Sequence, residues 1–186
     1  YGGRVSSAAV PRPGSMNRVN DVPRLSSIEA TTLSYTEDQA PVVVSTTIVV
    51  GDVDFDSDAD LEAANITITS GLESTDVLSF ADSLGIVSTY FSAGGVLALT
   101  GTASQADYQT ALRGVKYSST SEDPSVTTRT VSFIVYDGQV SSAAVTRSVS
   151  VTEVNDIPVV SWSASGTFVY LQAQPGVSFK FIKEIN

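Results

Sequence analysis

The 186 residues carry twenty acids against ten bases, no histidine and no cysteine, for a formal net charge of −10. This balance argues against a nucleic-acid partner, whose phosphates the body repels, and excludes disulfides, thiolate or zinc sites and imidazole acid–base chemistry. No apolar run is long enough to span a membrane, and the abundance of Val, Ile, Thr and Ser points to β structure.

Residues 1–23 read YGGRVSSAAVPRPGSMNRVNDVP, and residues 136–158 read YDGQVSSAAVTRSVSVTEVNDIP. The two align without a gap at an offset of 135, from Tyr1 to Tyr136, and both end in Val-Asn-Asp-hydrophobic-Pro. Fixed-period self-similarity marks an array of like units. The expected organisation is the tail and linker of one repeat over 1–23, a complete repeat over 24–158, and the start of a following, truncated repeat over 159–186. One repeat has the length of a single domain with a real core. Residues 11–24 hold three prolines and a glycine and read as a linker arm. The first 24 residues contain Arg4, Arg12, Arg18 and Arg24 against Asp21, which leaves nineteen acids and six bases for the rest. An acidic body of this kind suits cations, and equally serves solubility.

Short β-type runs then follow at regular spacing, over 31–35, 41–50, 65–69, 77–80, 85–91, 95–100, 115–117, 127–136 and 145–154. They predict an all-β sandwich of about seven strands. Strict alternation places Val131, Phe133, Val135, Val149 and Val151 on the core face. Residues 104–113, SQADYQTALR, read as one short helix with a Ser cap, its Ala106, Tyr108, Ala111 and Leu112 serving as core contacts. Beyond Pro158 the period persists, with Tyr170 falling 135 after Tyr35, but Gln172 and Ala173 stand where Glu37 and Asp38 stood.

Residues 51–62, GDVDFDSDADLE, carry acids at 52, 54, 56, 58, 60 and 62. On a strand they would all point one way and repel, so the segment reads as a loop. Calcium is the natural ligand for so many carboxylates, although a solvated loop with no ion accounts for charge density equally well. An EF-hand fails: a loop starting at Asp54 puts Ala59 at the glycine position and Asn65 at the bidentate glutamate, and one starting at Asp52 puts Ser57 and Ala63 there.

Further acids sit at marked places. Glu37 lies early, in Tyr-Thr-Glu; Asp52-Val-Asp54 follows the second run; Asp137-Gly138 closes a late strand; Glu153-Val-Asn155-Asp156-Ile-Pro158 ends the repeat. This ordered set resembles the cadherin-like repeats, including the tandem repeats of giant bacterial surface adhesins, and the block GGVLALTGTASQADYQTALRGVKY is similar to the adhesin variant. The resemblance implies a cadherin-like, Greek-key β-sandwich with Ca2+ at its junctions. It places Asn20, Asp52, Asp54 and Asp137 at an upper junction and Glu37, Glu153, Asn155 and Asp156 at a lower one. The Asp-Arg-Glu motif of cadherins is missing, since Thr100-Gly101-Thr102 stands there, and Arg18 and Gly2 replace expected acids in the first copy. The expectation is therefore a fairly complete upper site and a partial lower one.

The function implied is a structural or cell-adhesion module of an extracellular or cell-surface tandem-repeat protein, with neighbouring repeats or like subunits as partners and a cell-surface protein or glycan as adhesion target. It is not an enzyme: the paired acids of 51–62 lie on an exposed loop with no pocket signal. Two alternatives stand beside it. A self-assembling filament would be joined by strand addition through the incomplete end repeats, although Pro11, Pro13 and Gly14 interrupt the donor. A carbohydrate-binding module would rest on Trp162, Phe168, Tyr170 and Phe179, for which a core role is the plainer account. The sequon Asn65-Ile-Thr67 falls in a predicted strand and is read as chance.

Overall fold

The computed structural model describes residues 20–53, 60–156, 159–162 and 168–171, the last two segments by their backbone. The chain is mostly β, with a single α-helix among the described residues. The strands β1 (Arg24–Ser26), β2 (Leu33–Thr36), β3 (Val42–Val43), β4 (Val49–Gly51), β5 (Leu61–Ser70), β6 (Asp76–Ser79), β7 (Val87–Phe91) and β8 (Val96–Ala103) lead into the helix α1 (Gln105–Gly114). After it come β9 (Lys116–Ser119), β10 (Arg129–Tyr136), β11 (Val145–Thr152), β12 (Val159–Trp162) and β13 (Phe168–Leu171).

Six strands form the main sheet in the order β2-β11-β10-β5-β8-β7, and three form a smaller sheet, β3-β9-β6. The pairs β1-β4 and β12-β13 stand as two-stranded sheets. Among the described residues every pairing is antiparallel except β11 with β2, which run parallel with Val151 opposite Tyr35 and Thr152 opposite Thr36. That parallel pair lays Thr152 and the segment after it beside Glu37.

The alternation of β10 and β11 is realised as read: Val131, Phe133, Val135 and Val149 are fully buried and Val151 nearly so. With Ile66, Ile68, Leu97 and Leu99 of the same sheet, Leu78 and Tyr117 of the small sheet, and Tyr108, Ala111 and Leu112 of α1, they make one continuous core. Tyr35 and Tyr117 meet edge to face across the two sheets, ring centroids 5.2 Å apart. Ser104 caps α1 by accepting from the Asp107 N–H at 3.2 Å, as its sequence position predicts. Ala106 differs from its expected core role and is exposed, because it lies about half a helical turn from the buried face of Tyr108, Ala111 and Leu112.

The strand count exceeds the expected seven: eleven strands lie between Arg24 and Thr152 among the described residues. Part of the excess comes from the predicted strand 41–50, which breaks into β3 and β4 in two different sheets. Its middle turns because the Glu29 carboxylate accepts from Ser45 Oγ at 2.6 Å, the Thr46 N–H at 2.8 Å and Thr46 Oγ1 at 3.0 Å. Hydroxyl-rich Ser-Thr-Thr favours such local bonding over a ladder. Another difference is β5, which begins at Leu61 inside the segment read as an acidic loop. Leu61 is fully buried and pairs with Ala103, so Glu62 is a strand residue.

A buried ion cluster fixes the β9–β10 connection. Arg129 Nε lies 3.2 Å from Asp76 Oδ2 and Nη2 lies 3.0 Å from Glu73 Oε2. Nη1 donates to the carbonyls of Ser125 and Thr127. Tyr117 adds its hydroxyl to Asp76 Oδ1 at 2.6 Å, and burial followed by this bond pushes its pKa well up. Charges this deep persist when they are paired, and here Nη2 faces the Glu73 carboxylate as an ion pair without an aligned hydrogen bond.

Candidate metal centre

Two groups of polar residues gather around the two copies of the Val-Asn-Asp motif. At the first copy, Asn20 Nδ2 donates to Asp137 Oδ2 at 2.9 Å, and Gln139 Nε2 donates to Asn20 Oδ1 at 3.0 Å. Asp137 Oδ1 accepts from the backbone N–H groups of Gln139 and Val140, each at 2.7 Å. Burial alone would raise the Asp137 pKa, but the bonds from Val140, Asn20 and Gln139 outweigh it and hold the carboxylate below its ordinary value. The turn needs glycine at 138: φ is +94°, and a Cβ there would come within 2.7 Å of the Glu62 carboxyl. Glu62 thus lies directly against this turn, a placement that reading residues 51–62 as a loop did not reveal.

Asp52, half-buried at the end of β4, is anchored through its backbone. Its N–H donates to Gln105 Oε1 at 2.9 Å, and Gln105 Nε2 returns a bond to the Asp52 carbonyl at 3.3 Å. The first residue of α1 therefore sets where the acidic segment departs. Asp54 lies outside the described residues.

The second group is built by the parallel pair β2–β11. The Glu37 N–H donates to the Thr152 carbonyl at 2.9 Å, and Glu37 Oε2 accepts from the Val154 N–H at 2.7 Å. Its other oxygen, Oε1, is buried without a hydrogen-bond partner, in a residue only 4% exposed. Burial first, and then the charges of Asp156, Asp38 and Glu122, push the Glu37 pKa up; the Val154 bond opposes this without cancelling it. Asp38 sits in the following turn with φ of +61°. Tyr35 ties that turn to the β9 end, its hydroxyl bonded to the Gln39 carbonyl at 3.2 Å and the Ser119 carbonyl at 3.1 Å. One carboxylate oxygen from each of Asp38, Glu122 and Asp156 lies within 4.8 Å of the others.

Among the described residues this is the one group of three carboxylates so disposed. It contains Asp156 from the expected lower set and lies beside Glu37. Glu153 is exposed and stands outside it; Asn155 is exposed, its Nδ2 bonded to the Asp156 carbonyl at 3.2 Å. Asn20 makes the same bond to the Asp21 carbonyl, also at 3.2 Å. Asp38 and Glu122 were not singled out from sequence. Asp38 adjoins Glu37, and Glu122 precedes Asp123-Pro124, but nothing local signals that the chain folds them together.

An all-oxygen donor set suits a hard cation. The buried, unmatched Glu37 Oε1 fits such a group, since an orphan carboxylate oxygen costs free energy that a bound cation removes. No family model matches the sequence, and no curated protein matches it.

Proposed function

We propose that this chain is a cadherin-like β-sandwich module of an extracellular or cell-surface tandem-repeat protein, stiffened by calcium at its repeat junctions. The observation that carries this reading is that both copies of the Val-Asn-Asp motif meet carboxylates of the repeat. The first copy places Asn20 on Asp137. The second places the Val154 N–H on Glu37 and brings Asp156 to Asp38 and Glu122.

The mechanism is electrostatic. Without a cation, carboxylates gathered at the entry and exit of a repeat repel, and this repulsion works against the hydrogen bonds that hold the linkers. Calcium bridging linker and repeat oxygens cancels that repulsion and fixes the angle at which one repeat leaves the next. The residues that would hold it are Asp52, Asp54 and Asp137 with Asn20 at one end, and Glu37 and Asp156 at the other. The role is mechanical, with neighbouring repeats or like subunits as partners and a surface protein or glycan as adhesion target.

Thermal melting of the chain with calcium and with chelator, at low salt, tests the reading. Calcium at about a hundred times its Kd stabilises by about 2.7 kcal/mol, a rise in Tm of several degrees for a domain of this size. An unchanged Tm, with no heat in a calcium titration, would falsify it.

A further inference from the structure

We propose that the outer face of the main sheet is a self-association surface, on which a second copy of this chain packs its own outer face about a two-fold axis. The inference goes beyond the calcium reading and does not rest on it, because every residue it uses is uncharged.

One face of the main sheet lies on the core, so alternate residues of its strands point outward. The registers of β7, β8, β5 and β10 set three rows of outward residues side by side. Their segments, 87–91, 96–100, 63–67 and 132–136, hold no charged residue at all, in a chain of net charge −10. Three side chains stand up from this face: Phe91, Val87 and Tyr136 are 56%, 53% and 36% exposed. Ser132, only 6% exposed, is a low point.

Charge selects the occupant. A charged partner laid on this face would lose hydration and gain no counter-charge. A second copy is as acidic as the first, so the two repel except where neither surface carries charge. The outer face meets that condition on both sides of the contact.

The face is also complementary to itself. Phe91 and Ser132 end one row and Val87 and Tyr136 another, while Ala98 and Asn65 are neighbours in the row between. A two-fold axis parallel to the strands, passing between β8 and β5, lays β7 over β10 of the second copy and β8 over its β5. Phe91 then meets the hollow at Ser132, Val87 meets the Tyr136 ring, and Ala98 makes room for Asn65. Each contact occurs twice, as an isologous interface requires, and aligned sheets pack face to face in this way. The overlap of four strands and three rows is about 19 by 20 Å, which fits a reversible dimer rather than an obligate one.

Sedimentation velocity of the full chain tests this, in chelator and at physiological salt, over a series from micromolar to millimolar protein. The variants are Asn65→Lys and Ala98→Glu, whose side chains point outward, so melting curves should match the wild type. The expected result is a reversible monomer–dimer equilibrium in the wild type, weakened at least tenfold by either change. An equimolar mixture of the two variants should regain the dimer, because the introduced ammonium of one copy faces the introduced carboxylate of the other. Should Ala98→Glu melt early, the Asn65→Lys result alone decides whether the face is used. A wild type that stays monomeric throughout overturns the proposal, including the case in which a neutral glycan takes this face instead. A dimer that survives both changes overturns the face, and a mixture that stays monomeric overturns the two-fold arrangement. None of these outcomes bears on the calcium reading, since the chelator has removed the ion.

Discussion

Asn20 and Asp137, 117 positions apart, are joined by a 2.9 Å hydrogen bond from the Asn20 amide to Asp137 Oδ2. The bond ties the segment entering the repeat to the turn after its penultimate strand in the main sheet. It uses the Asn of a motif that recurs at Asn155. Asp137 has its turn bonds already in place on Oδ1. A carboxylate offers about four acceptor positions, so a cation can add to this arrangement without dismantling it.

Asp137→Ala should therefore destabilise the fold even in chelator, by about 1–3 kcal/mol, because two partly buried turn N–H groups lose their charged acceptor. Asn20→Ala should cost less than about 1 kcal/mol, having removed one partly exposed partner. Urea unfolding of both variants in chelator gives the comparison. Equal losses would mean that the turn is held by something other than the Asp137 carboxylate.

Phe133 tests the core. It is fully buried in β10, opposite Ile66 of β5 and Val145 of β11. Phe133→Ala should cost roughly 3–5 kcal/mol, read from denaturant midpoints at unchanged m-value. A loss below about 1 kcal/mol would show that the site collapses around the gap, and that packing there is looser than the burial implies.

The contrast between Phe133 and Glu122 shows what the sequence could reveal. Phe133 sits in a strict alternation, and one face of a strand must be apolar if the sheet has a core, so local pattern is enough. The cap at Ser104 is legible for the same reason: donor and acceptor are three residues apart. Glu29 and Arg129 are different. Each acts on segments far along the chain, Glu29 on Ser45 and Thr46, Arg129 on Asp76, and nothing in their own neighbourhoods announces it. Glu122 and Asp38 reach Asp156 only through the parallel pairing of β2 with β11 and the Tyr35 bridge to β9. The motif order singled out Glu37 and Asp156, whereas the approach of Asp38 and Glu122 to Asp156 became visible only once the strands were paired.

Glu29 gives a pH prediction with a definite sign. Burial pushes its pKa up, but bonds from Ser45 and from the Thr46 backbone and hydroxyl outweigh this and bring it down from 4.5 to about 2. A carboxylate whose folded pKa is depressed contributes its stability in full above the unfolded value and loses it as pH falls through the folded one. The contribution should thus be whole above about pH 4.5 and vanish by about pH 2. Glu29→Gln should remove about 1–2 kcal/mol at pH 7 and flatten the acid limb of a stability–pH curve. A variant whose acid limb superimposes on the wild type would show that Glu29 is not the group responsible.

Arg129 and Asp76 give the most demanding test, because both are at most 1% exposed and each is satisfied mainly by the other's cluster. Asp76 accepts from Arg129, from the Tyr117 hydroxyl at 2.6 Å and from the Glu73 N–H at 2.8 Å. Arg129→Met removes the only cation in that cluster among the described residues and leaves Asp76 charged and buried. The cost should be about 3–5 kcal/mol, the range for breaking a buried pair from one side. Adding Asp76→Asn to Arg129→Met should recover part of the loss, since the stranded charge is then gone; a coupling of about 1–3 kcal/mol in the double-mutant cycle is expected. The same guanidinium holds the Ser125 and Thr127 carbonyls, so freeing it loosens the connection that carries Glu122. Calcium affinity should therefore fall in Arg129→Met while Glu122 itself is unchanged. If stability drops as stated but calcium binding is untouched, the ion cluster serves the core alone and the β9–β10 connection is positioned by the Tyr35 bridge.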